Sequence, residues 1–337
     1  TRFGANGRPL KLADYKKLES GEKAGITHDT ENWEFWSTPY DFDPLGGDLL
    51  GSKPRQFVQF KADFISNLES SGQLDYLQFS VAIPPLASEA LAEIAPNRAP
   101  AGEVTTFTYK IKPNLESADL GFDSIAIDTP ARPVSVDAVR VGGVDAGFDV
   151  MELGDTGFTV KIPPIDLQQT EELIEVDFQA EVFKFGTVFS GRVFNSEMAE
   201  EVHQTLTPGN ADDLVDSNSL NVALESTERS AIGNLQLSSA VVTPNGDGET
   251  DVVSIEYDLI NVNQLGVGAS ILEIYSLTGQ RLGVLHEAPA ISGRVPVTWD
   301  GTDGRGNRLN PGVYLMRLSV DVDGKADAIV RVVSVAY

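Results

Sequence analysis

The sequence contains no cysteine. That excludes disulfides, thiolate metal centres and cysteine nucleophiles. It does not argue for a reducing compartment, because exported bacterial β proteins often do without disulfides. Histidine is scarce: His28, His203 and His286 lie far apart. Neither the His-Glu-x-x-His zinc pattern, the Gly-x-Ser-x-Gly nucleophile turn nor the phosphate-cradling Gly-x-x-x-x-Gly-Lys loop occurs. Basic charge is also short, with 25 Lys and Arg against 50 Asp and Glu, for a net charge of -25. Nucleic acids and anionic membrane surfaces need a basic face, so both are excluded as expected partners. No apolar run reaches the ~18 to 20 residues of a transmembrane span. The polar opening Thr1-Arg2-Phe3-Gly4 has no Met and no signal-peptide pattern, and reads as a processed or truncated chain.

What the sequence does have is turns and period-two hydrophobicity. Glycine (31) and proline (18) sit between short apolar alternations, which favours many short strands over long helices. Residues 1–30 differ from the rest. Arg2, Arg8, Lys11, Lys16, Lys17 and Lys23 outnumber Asp14, Glu19, Glu22 and Asp29, and apolar content is low. The expectation is an extended N-terminal arm that orders against a partner or the chain's own acidic body.

Residues 31–85 are aromatic-rich, with Trp33, Phe35, Trp36, Tyr40 and Phe42. Val58, Phe60, Ala62 and Phe64 alternate with polar residues, as do Leu77, Phe79, Val81 and Ile83 beyond the turn at Ser70-Ser71-Gly72-Gln73. That pattern predicts an antiparallel hairpin. From 86 to 228 the alternations recur, and the strongest is Ile174, Val176, Phe178, Ala180 and Val182 against Glu175, Asp177, Gln179 and Glu181. Such spacing predicts a β-sandwich. The acidic face of that strand is expected to be wet and to discourage edge pairing. The polar run Glu225–Ser230 marks a boundary, and 229–337 predicts a second sandwich.

Two motifs stand in the last hundred residues. In Thr243-Pro244-Asn245-Gly246-Asp247-Gly248-Glu249-Thr250-Asp251, oxygen-bearing side chains alternate with permissive glycines. Asn245, Asp247, Glu249 and Asp251 are therefore the expected ligands of a calcium ion, Ca2+, which takes oxygen donors only. A second acidic run, Asp212-Asp213-Leu214-Val215-Asp216, offers similar donors. The other motif, Trp299-Asp300-Gly301-Thr302-Asp303-Gly304 through Pro311-Gly312-Val313-Tyr314, reads as consecutive turns leading into a strand, with Trp299 in the core.

Together with Ile274-Tyr275-Ser276-Leu277-Thr278-Gly279-Gln280, these motifs make residues 232–337 resemble the immunoglobulin-like domain of flagellar hook-capping proteins. Related C-terminal domains occur in secreted bacterial proteins, including cargo of the gliding-associated secretion system. The resemblance implies an all-β protein of tandem immunoglobulin-like β-sandwiches that works outside the cytoplasm, in the periplasm or at the cell surface, in assembly or anchoring. Sorting domains commonly end in a basic tail; here the end is Val333-Ser334-Val335-Ala336-Tyr337, which favours a structural role.

The functional expectation is a non-catalytic subunit that docks on other envelope proteins, within a larger membrane-associated complex. Two other classes stand beside it: a glycan-binding part of a secreted protein, motivated by Trp33 to Tyr40, and secretion cargo, motivated by the resemblance.

Overall fold

The computed structural model describes residues 2–27, 33, 35–39, 54, 57–62, 73–79, 81–198, 202–225, 230–262, 268–322 and 325–337. The chain divides into two compact units, residues 1–51 and 52–337.

The first unit corrects the expectation of an extended arm. Arg2–Gly4 is the middle strand of a small sheet, between Pro9–Leu10 and Lys23–Ile26, and a helix spans Leu12–Lys17. Local polar contacts tie the described part of it together. Asn6 Oδ1 accepts from the Arg8 amide at 3.1 Å and Gly7 turns the chain at φ +71°. The Tyr15 hydroxyl donates to the Ala24 carbonyl at 3.1 Å, and Lys23 lies 5.7 Å from the centre of the Tyr15 ring. Lys16 and Lys17 fall in the last helical turn, where the helix dipole favours cations. The basic residues read as a docking arm are thus partly used inside the segment.

The predicted hairpin lies partly outside the described residues. Residues 57–62 and 73–79 are not paired as strands, although Phe60 and Phe79 touch with ring centres 5.1 Å apart. Phe64 and the turn at Ser70 to Gly72 lie outside the described residues, as do Tyr40 and Phe42. Trp33, Phe35 and Trp36 are exposed.

The second unit is built of β-sandwiches. One six-stranded sheet runs Thr207–Pro208, Glu89–Ala95, Val104–Asn114, Ile174–Glu181, Arg132–Val141, Val144–Asp145. It faces a five-stranded sheet ordered Asp149–Gly154, Gly157–Ile165, Phe122–Asp128, Ser190–Phe194, Gln204–Thr205. Between them lies one core in which Phe107, Phe158, Phe178 and Phe189 are buried, their ring centres 5.0 to 5.7 Å apart in contacting pairs. The alternating side chains Ile174, Val176, Phe178, Ala180 and Val182 all point into it. Their strand is not an edge. It pairs with Val104–Asn114 on one side and Arg132–Val141 on the other.

A second core follows, between a three-stranded sheet (Ile232–Leu237, Val253–Leu259, Gly293–Trp299) and a five-stranded one (Val241–Val242, Lys325–Val335, Gly312–Val322, Ala269–Ser276, Arg281–Pro289). Trp299 is buried in it, as its motif predicts, and its indole N–H donates to the Thr302 carbonyl at 2.9 Å. The turn after Trp299 packs directly on Gly283: any Cβ there would collide with the Asp303 carbonyl.

Candidate functional site

The expected calcium loop is closed by its own backbone. The Asp251 carboxylate accepts from the amides of Gly246 at 2.7 Å and Gly248 at 2.8 Å. Asp247 accepts from the Glu249 amide at 2.8 Å and the Asn245 side-chain amide at 2.9 Å, and Asn245 Oδ1 accepts from the Asp247 amide at 2.9 Å. These amide bonds hold the Asp251 carboxyl below the ordinary carboxylate range. Among the described residues, no group of three or more His, Asp and Glu side chains is arranged to hold a metal ion. As placed, Asn245, Asp247 and Asp251 turn their oxygens onto N–H donors of the loop instead of presenting them to one cation, and Glu249 is exposed.

The acidic run at 212–216 is likewise committed. Glu93, 0% exposed on the strand Glu89–Ala95, accepts from the amides of Ala211, Asp212 and Asn218 and from the Ser217 hydroxyl, at 2.8 to 3.0 Å. This carboxylate pins the whole loop over the outer face of the six-stranded sheet. Asp212 then meets Lys110 at 2.6 Å, and Lys110 meets Glu175 at 3.0 Å. Arg140 bridges Glu175 at 3.0 Å and Asp177 at 2.6 Å. Glu93, Lys110, Glu175 and Arg140 stand opposite one another on four adjacent strands, so their charges alternate along a single cross-strand row. The face expected to be wet is a part-buried ionic lattice.

One cluster approaches catalytic geometry. Ser196 Oγ accepts from Lys161 Nζ at 2.8 Å and donates to Asp123 Oδ2 at 2.5 Å. Burial works to raise the Asp123 pKa, but bonds from Ser196, Ser124 and Lys161 outweigh it, and the net direction is down. A hydroxyl donating to such a carboxylate is fixed as a donor, and Asp123 sits 3.4 Å from Lys161 as its ion partner. With the Ser196 amide also donating to Asp123 Oδ1 at 2.7 Å, the arrangement clamps the Asn195 loop. His203, considered as a ligand or base, stacks on Phe194 with ring centres 4.3 Å apart.

A further polar site joins the two cores. Arg294, on the strand Gly293–Trp299, donates from Nε to Asp258 Oδ1 at 2.9 Å and from Nη2 to Asp258 Oδ2 at 3.3 Å. It also reaches the first sandwich, donating from Nη1 to Glu181 Oε1 at 2.7 Å and from Nη2 to the Gly102 carbonyl at 2.9 Å. The Asn261 amide donates to the Phe183 carbonyl at 2.8 Å, and Ile260 packs against the first core. A cavity of about 370 Å³ opens beside this seam, lined in part by Glu103, Phe185, Glu225 and Ile260.

No protein-family model matches the sequence, and no curated protein matches it. Solved structures do. PorZ, described as an essential bacterial surface component of the type-IX secretion system of Porphyromonas gingivalis, is similar at 13% identity and a TM-score of 0.24, over 46% of this chain and 16% of that one. The D0-D1 domain of intimin is similar at 10% identity and TM-score 0.21, over 74% of this chain and 98% of that one. The adhesin InvE of Yersinia pseudotuberculosis is similar at 10% identity and TM-score 0.24, over 74% and 58%. Nothing about this chain's chemistry follows from them.

Sequence reasoning missed Gly102, Glu181, Asp258 and Arg294 as a group. The signal available was weak: Arg294 is a lone arginine in a run with apolar neighbours, and nothing in its spacing names partners that lie 36, 113 and 192 positions away. The long-range row through Glu93 was missed for the same reason.

Proposed function

We propose that this chain is a non-catalytic structural or assembly subunit of a bacterial protein complex outside the cytoplasm, in the periplasm or at the cell surface. The observation that carries the reading is the Arg294 seam. One guanidinium binds groups on both sandwiches, so their outer faces are held at a fixed spacing. A docking scaffold needs such rigidity, since ordering a loose joint on binding costs affinity. The resemblance of residues 232–337 to hook-capping immunoglobulin-like domains supports it. Other envelope proteins are the partners this reading implies. The test is native mass measurement of the chain taken from its own envelope extract. A stoichiometric complex is expected, weakened by Arg294→Ala; a partnerless monomer overturns the reading.

A glycan-binding role is the second reading, favoured by the exposed side chains of Trp33, Phe35 and Trp36. Exposed aromatic faces stack on sugar rings, which present apolar C–H patches. A glycan array separates the two. Binding lost in Trp36→Ala supports the second reading, and silence across the array removes it.

A further inference from the structure

The strand Asp149–Gly154 is an edge. Among the described residues its one sheet neighbour is Gly157–Ile165. An edge strand leaves alternate N–H and C=O groups unpaired, ready to template another strand. Every residue of this strand is exposed, including Val150 (44%), Met151 (63%) and Leu153 (46%). The register slips between Val150 and Glu152, so Met151 bulges from the ladder. Val144 and Val134 are also exposed, on the last two strands at one end of the opposing sheet.

The charges on this flank choose among occupants. Asp149 and Glu152 lie on the strand itself, with Asp145 before it and Asp155 after it. Among the described residues the cation ion-paired to them is Arg132, whose Nε lies 3.1 Å from Asp155 Oδ1; Lys161 and Arg140 stand opposite Asp149 and Asp145 in the ladders, but Lys161 binds Ser196 and Asp123 and Arg140 binds Glu175 and Asp177. A second copy of this chain adding to the edge would set carboxylates against carboxylates, and each copy carries a net charge of -25. A strand with lysine or arginine alternating with aliphatic residues meets both requirements: its apolar side covers Val150, Met151 and Leu153, and its cations face the acids. Like-charge repulsion excludes self-association while the same acids attract a basic strand.

We infer that Asp149–Gly154 accepts an extended basic–apolar strand from a partner protein by β-addition. The inference deepens the assembly reading and rests on it for the existence of a partner. Backbone hydrogen bonds would supply the affinity and the acidic flank the selectivity.

The probe is a synthetic peptide of alternating lysine and valine, about eight residues long, the length of an ordinary strand. Two controls keep its charge: one has proline at alternate valines, and one has the lysines and valines in blocks. The full chain should bind the alternating peptide saturably, and hydrogen exchange should slow at residues 149–154. The proline control should bind about tenfold more weakly or worse, a difference of about 1.4 kcal/mol. In the protein, Met151→Pro and Glu152→Lys are exposed changes expected to leave the melt nearly unchanged and to weaken binding. Equal binding of all three peptides would mean charge attraction alone and overturn the inference. So would protection elsewhere, or no binding. In the native extract, a complex that survives Met151→Pro overturns this edge and leaves the assembly reading standing, whereas a wild-type monomer overturns the assembly reading itself.

Discussion

A Cβ on Gly102 would lie 2.7 Å from Asp258 Oδ2, across the seam between the two cores. Gly102 also has φ +68°, a conformation that side chains disfavour. Glycine there lets the first sandwich bring a bare carbonyl up to Arg294 while Asp258 takes the other side of the same guanidinium. Asp258 is 2% exposed, so it relies on that pairing.

Arg294→Ala should therefore lower stability by about 3 kcal/mol, because it strands a buried carboxylate. Gly102→Ala should act in the same direction, and the double variant should lose less than the sum, since both break one contact set. Urea denaturation of the three variants measures this. Additive losses, or an Arg294→Ala chain as stable as the parent, would sink the claim that the seam is a coupled unit.

The ionic lattice on the six-stranded sheet sets a pH response. Burial tends to raise the pKa of Glu175 and Asp177, but bonds from Arg140, joined at Glu175 by Lys110, hold both below the ordinary carboxylate range. Asp212 is lowered mainly by its bond from Lys110. Lys110 itself is pulled down by burial and pushed up further by Asp212 and Glu175, for a net rise. Lowered carboxylates add stability above their unfolded pKa and lose it as pH falls through the folded value. A raised lysine adds stability below its unfolded pKa and loses it as pH rises through the folded value. These groups thus predict a plateau from about pH 5 to about pH 9 and a decline below about pH 4. Lys110→Met should move the acid decline to higher pH, because Glu175 and Asp212 lose the cation that holds them down. Urea midpoints across the acid range test it, and superimposable acid limbs for parent and variant would refute it.

Period-two hydrophobicity carried most of the sandwich architecture. Ile174, Val176, Phe178, Ala180 and Val182 were legible as one buried face, and they are that. What period two cannot carry is the identity of neighbouring strands. Glu175 and Asp177 looked like a solvated edge because their partners Lys110 and Arg140 sit 35 to 65 positions away. The N-terminal segment misled differently: its few apolar residues suggested an extended arm, while short polar contacts such as Tyr15 to Ala24 close it locally. In the loop at 245–251, side chains expected to converge on a cation include Asp251, whose carboxylate instead accepts from two backbone amides, a competition that residue spacing does not reveal.

Glu93→Gln tests the buried anchor of the 211–218 loop. The carboxylate only accepts, and all its partners donate. A carboxamide would aim an NH2 at donors and leave at least one buried N–H unpaired, costing about 1 to 3 kcal/mol. Since Glu93 holds the loop and not the core, cleavage by a nonspecific protease should appear first within 209–220. A variant with parental protease resistance would show that Asp212 and Lys110 suffice to hold the loop.

The calcium expectation ends in a direct measurement. If the amide bonds to Asp251 and Asp247 close the loop, calcium has no converging oxygens to bind, and titration calorimetry of the full chain should give no saturable heat at 245–251. Melting in calcium and in chelator should then coincide, since an ion that does not bind the native state cannot stabilise it. Asp251→Ala should lower the melting temperature whether or not calcium is present, by freeing the Gly246 and Gly248 amides. A chelator-sensitive melt that Asp251→Ala abolishes would reverse this conclusion. It would mean that the carboxylate exchanges its two amide partners for a cation on binding.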